Sequence, residues 1–149
     1  MTTTPTHAAS EQAPRAELST ARRRVDTAFA VLIIAFTLAI LVQLYLAGAD
    51  AFAHHGVRHP FAPHEALGHY LGVASGVLLI LALIARATRW TMLGSLLLVL
   101  TTEVAQEGLA SAGHHNRWVG GLHAFDGGLI LLLALTLAVA AYRRRFAAR

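Results

Sequence analysis

The chain has no cysteine, which excludes disulfides, thiolate nucleophiles and thiolate metal sites. It has no lysine either, since all 12 basic residues are arginine. That choice, with the abundance of Ala and Leu, is the bias of a GC-rich bacterial genome. Charge is scarce: 13% of residues are charged against 56% hydrophobic, far from the average of a soluble domain. No basic patch is interleaved with aromatics, so the high isoelectric point does not point to nucleic acid. Neither a nucleophile–base arrangement nor a phosphate loop is visible, and no enzymatic activity is assigned. Histidine is the exception to this scarcity, with nine residues.

The length of 149 residues suits one domain. Residues 1–20 are rich in Thr, Ala, Pro and Glu without apolar periodicity and read as a disordered cytoplasmic tail. Arg22, Arg23 and Arg24 then precede an apolar run from Ala28 to Leu46, which as a helix spans roughly 29 Å, about one bilayer core. Three further runs follow, so the expected architecture is all-α: a four-transmembrane-helix bundle within residues 21–149, with helices at about 25–47, 65–86, 90–112 and 120–142. Ten of the arginines lie in the two tails and the Arg86–Arg89 turn, whereas the other two connections hold only Arg58 and Arg117. The positive-inside rule therefore predicts a multi-pass protein of the bacterial plasma membrane, its partner the lipid bilayer, with both termini cytoplasmic. Tyr45, Tyr70 and Trp118 fall near the outer interface, Trp90 and Tyr142 near the inner one. The competing reading of the first run is a signal peptide cleaved near Ala47, Ala49 or Ala51. It conflicts with the run's length and with the repeat described next.

Two stretches of the chain resemble each other. From Gln43 the sequence is QLYLAGADAFAHHGVRHPFAPHEALG, and from Gln106 it is QEGLASAGHHNRWVGGLHAFDG. Gln43 pairs with Gln106, His54–His55 with His114–His115, Arg58 with Arg117, His64 with His123 and Gly68 with Gly127. Each half is a helix, a His-rich outer loop and a helix. Both start on the same side, so the bundle is expected to consist of two parallel helix–loop–helix repeats.

The pairing puts His64 and His123 near the outer ends of the second and fourth helices. Gly68 and Gly127 lie one turn deeper on the same faces. A glycine beside an imidazole lets a flat macrocycle, or another helix, approach the backbone; small residues at this spacing are also the ordinary means of packing membrane helices. His69 follows His64 by five residues, so the two point about 140° apart and cannot both face one site. His64 with His123 ranks above His69 with His123 as a ligand pair. Glu103, Gln106 and Asp126 lie in the same outer layer. Intramembrane carboxylates are costly and usually face a bundle interior, where these could orient imidazoles or carry protons. His54, His55, His59, His114 and His115 occupy the outer loops without a fixed helical spacing such as HExxH.

HEALGHYLG on the second helix, the Gln near the end of the third and LHAFDG on the fourth resemble a domain-of-unknown-function family of small four-helix membrane proteins from high-GC bacteria. The resemblance covers about residues 25–142. Its HxxLGHxLG pattern falls on His64, Leu67, Gly68, His69, Leu71 and Gly72, and its LHxxxG pattern on Leu122, His123 and Gly127. The family has no established activity, so the resemblance implies the fold alone. A more distant likeness is to one four-helix half of haem A synthase, whose repeats hold b-type haem between histidines at positions matching His64 and His123. The second half and the complete acidic motif of that enzyme are missing, so haem binding is implied and haem A synthesis is not.

Three functions follow. The first is a haem b protein with His64 and His123 as axial ligands, serving electron transfer or haem handling with a redox partner. The second is an accessory or scaffolding membrane protein without a cofactor, contacting another membrane protein. The third is capture of Zn or Cu by the outer-loop histidines.

Overall fold

The computed structural model describes the backbone of residues 9–52 and 61–147, and the side chains of residues 20–52 and 61–145. It is an all-α four-helix bundle: α1 (Ala9–Ala51), α2 (Ala62–Ile84), α3 (Arg89–Val99), a π-helical stretch (Leu100–Ala105), α4 (Gln106–Gly113) and α5 (Arg117–Tyr142). A second π-helical turn, Arg143–Ala147, ends the described chain. The first outer loop, with His54, His55, Arg58 and His59, lies outside the described residues.

Two boundaries differ from expectation. The helix α1 begins at Ala9, inside the segment read as a disordered tail. Ala, Glu, Gln, Arg and Leu dominate residues 9–18, and these are strong helix formers that a search for apolar periodicity overlooks. The expected third helix is a composite of α3, the π-helical stretch and α4. Three helical segments are long and apolar enough to cross a membrane, namely Thr20–Ala51, Ala62–Ile84 and Arg117–Arg145.

Two threonines lie within the interruption. Thr101 Oγ1 lies 2.9 Å from the Leu97 carbonyl and 3.0 Å from that of Leu98, and Thr102 Oγ1 lies 2.8 Å from the Leu98 carbonyl and 3.3 Å from that of Val99. Thr37 and Thr136 make the same kind of bond, to Ile33 O and Leu132 O, within unbroken α-helix, so these bonds accompany the wider turn and do not by themselves produce it. A π-helical stretch also changes the phase between the faces before and after it, here between α3 and α4.

Turns end the helices cleanly. At the end of α2, Arg86 has φ 49°. The Arg86 N–H donates to Leu83 O (3.0 Å) and the Ala87 N–H to Ala82 O (2.9 Å), a Schellman cap with arginine where glycine is usual. Thr88 caps α3 by accepting from the Thr91 N–H at 3.3 Å, and Asn116 caps α5 by accepting from the Trp118 N–H at 3.0 Å.

Around the bundle, α1 packs on α2 and α5, α2 on α1 and α3, and α5 on α1, α3 and α4. The pairs α2–α5 and α1–α3 are diagonal, with no Cα–Cα approach within 8 Å. The interior is built from small side chains, including Ala30, Ser75, Ala82, Ser95, Ala134 and Ala138, around the larger Phe29, Ile33, Leu78 and Leu98. Outward faces are apolar as well: Val31 is 58% exposed and Leu132 60%. Small residues inside and large apolar ones outside are the pattern of helices that pack tightly in lipid. The molecule is a multi-pass helical bundle of the kind that resides in a bilayer.

Candidate functional site: reciprocal histidine–glutamine pairs

Gln43 on α1 and His64 on α2 exchange hydrogen bonds in both directions. The His64 Nδ1–H donates to the Gln43 carbonyl at 3.2 Å, and Gln43 Nε2 donates to the His64 carbonyl at 2.9 Å. Gln106 on α4 and His123 on α5 repeat the arrangement. The His123 Nδ1–H donates to the Gln106 carbonyl at 3.2 Å, and Gln106 Nε2 donates to the His123 carbonyl at 3.0 Å. The acceptor in each imidazole bond is a carbonyl, so the proton is on Nδ1 in both rings. All four residues are half-buried.

The two pairs meet at the centre. The rings of His64 and His123 lie edge to face with centroids 6.2 Å apart and planes at 69°. Phe61 stands edge-on to His64 at 6.3 Å. Helices whose Cα atoms nowhere approach within 8 Å are thus in contact through these two imidazoles.

The pairs differ in their remaining partners. Gln106 Nε2 also donates to Asp126 Oδ2 at 2.8 Å. The repeat counterpart of Asp126 is Leu67, so Gln43 has no carboxylate to address. Its Nε2 instead lies 3.4 Å from Nε2 of His64, and its buried Oε1 has no hydrogen-bond partner among the described residues.

Other expected residues are placed differently. His69 is exposed and makes its ring contact with the adjacent Tyr70; it does not join the His64–His123 contact. Gly68 is closely approached by α1, since a Cβ there would sit 3.1 Å from Gln43 Nε2, whereas one on Gly127 would make ordinary contact at 3.6 Å from Leu44 Cδ2. Glu103, expected to face the interior near Gln106, is exposed. Its carboxylate lies across α2 at Gly72, in the space a Cβ there would fill. The π-helical stretch that contains Glu103 accounts for this difference, because it turns Gln106 toward α5 while Glu103 lies against α2. Gln43 was missed as a site residue, although it opens the alignment of the two halves and so carried the signal. Among the described residues no three His, Asp or Glu side chains converge to hold a metal ion, and His114 and His115 are exposed.

Comparison with protein-family models, with curated proteins and with solved structures gives no match.

Proposed function

We propose that the chain is an accessory or scaffolding protein of the membrane, with four spans in two parallel repeats and both termini on the arginine-rich side. The observation that carries this reading is the doubled His–Gln exchange. In each pair the imidazole Nδ1 and the glutamine amide are spent on the partner's backbone, tying α1 to α2 and α4 to α5. Gln43 further directs its amide nitrogen at Nε2 of His64, the atom a metal would need. Polar side chains in a bilayer act as such ties between helices. Four-span topology is supported by residues 89–113, which are helical throughout and pack on α2 and α5. The identical bonding at Gln43–His64 and Gln106–His123 supports the duplication. The test is resistance to unfolding in SDS: His64→Ala and His123→Ala should each lower it, and unchanged resistance in both would remove the ties from the account.

A second reading has its own observation. The 6.2 Å ring separation is of the size needed by two imidazoles on either side of one ion, each nitrogen being about 2.0 Å from such an ion. Nδ1–H bonds to carbonyls are also the usual way a ligating histidine is oriented. In this reading His64 and His123 hold haem b, which would supply one-electron chemistry. Hemin titrated into the purified protein decides between the two: a saturable one-to-one Soret band that needs both histidines supports haem, and its absence supports the structural ties.

A further inference from the structure

At the arginine-rich end, a cleft of about 270 Å³ is lined by Thr20, Arg23, Arg24 and Thr27 of α1 and by Arg145 of the terminal π-helical turn. We propose that this cleft binds the phosphate headgroup of an anionic phospholipid.

Among the described residues the lining contains three guanidinium groups, two hydroxyls and no carboxylate. Guanidinium presents planar forked donors that match phosphate oxygens. The adjacent carboxylate, Asp26, is engaged by Arg144 at 3.0 Å. The walls are held in place. Arg145 Nε donates to Thr27 Oγ1 at 2.7 Å, and Thr27 Oγ1 donates to the Arg23 carbonyl at 2.8 Å. The terminal π-helical turn thus directs two consecutive residues, Arg144 and Arg145, onto α1.

Position selects a lipid over a free anion. The cleft lies where the apolar segment Thr20–Ala51 begins and the segment Arg117–Arg145 ends. That level is the phosphate layer of a bilayer, where basic pockets between helices collect anionic headgroups. Its volume is below the roughly 300–1,000 Å³ of sites for drug-sized ligands, which suits a headgroup with its acyl chains left in the bilayer.

The test uses the full chain in detergent, with retention of phosphatidylglycerol and phosphatidylcholine read by native mass spectrometry and inorganic phosphate as a competitor. Phosphatidylglycerol should be retained over phosphatidylcholine, and each of Arg24→Gln and Arg145→Gln should weaken its binding about fivefold. Arg89→Gln, a charge at the same end but outside the cleft, should leave retention unchanged. If Arg145→Gln unfolds the terminal turn, Arg24→Gln alone carries the reading. Equal retention of the two lipids overturns the proposal, as does an Arg89→Gln loss equal to that of the cleft variants. Saturable binding of inorganic phosphate without a preference between the lipids would assign the cleft to a free anion and overturn the lipid.

Discussion

Replacing each glutamine by alanine should have unequal consequences, because the two otherwise matched pairs differ at one residue. Gln106 donates to the His123 carbonyl at 3.0 Å and to Asp126 at 2.8 Å. Gln43 makes one short bond, to the His64 carbonyl at 2.9 Å, and one long contact of 3.4 Å to the ring. Polar contacts between membrane helices are worth about 0.6 kcal/mol on average and about 1.7 kcal/mol at most. A bond to a carboxylate belongs at the upper end of that range. Gln106→Ala should therefore cost about 2 kcal/mol and Gln43→Ala about 0.6 kcal/mol. The first half supplies the control, since Leu67 stands where the second half has Asp126. In an Asp126→Leu background, the cost of Gln106→Ala should fall to that of Gln43→Ala, a coupling of about 1 kcal/mol or more. Reversible unfolding in SDS, followed by circular dichroism, measures all of these. Equal costs for the two glutamines, or no coupling to Asp126, would refute the reasoning.

Arg86 occupies the left-handed position of the α2 cap, so Arg86→Gly should raise stability by about 1 kcal/mol in the same assay. Ser95 is fully buried, and its hydroxyl has no partner among the described residues; Ser95→Ala should be neutral or stabilising. Ser75, by contrast, donates to Gly72 O at 2.6 Å and accepts from Thr102 at 2.9 Å, and Ser75→Ala should cost about 1 kcal/mol. Reporter fusions after Arg89 and Arg149 should read as cytoplasmic and those near Ala53 and Arg117 as external; an external C-terminus would contradict four spans.

Much of the architecture was legible because lipid imposes strong constraints. Apolar runs long enough to cross a bilayer announce helices, and alignment of the two halves brought Gln43, Gln106, His64 and His123 into correspondence. The ring contact follows from that correspondence, since equivalent residues on diagonal helices can meet at the centre. The π-helical stretch was not legible. A wider turn leaves no mark in apolar periodicity, and the expectation that Glu103 faces the interior near Gln106 took no account of it. The start of α1 was missed for a related reason. Helix propensity without apolar periodicity leaves no stripe to detect, and Pro14 further disguises the start of the helix. The cleft at the arginine-rich end was hidden because it joins residues 118 positions apart, Thr27 and Arg145.

The central claim is that His64 and His123 are structural ties between helices. It is tested most directly by the visible spectrum of the full chain purified in mild detergent from haem-replete cells. The account predicts no Soret band in proportion to protein, together with lower resistance to SDS unfolding in both His64→Ala and His123→Ala. A stoichiometric Soret band that disappears in both variants would contradict it and establish the two rings as axial ligands.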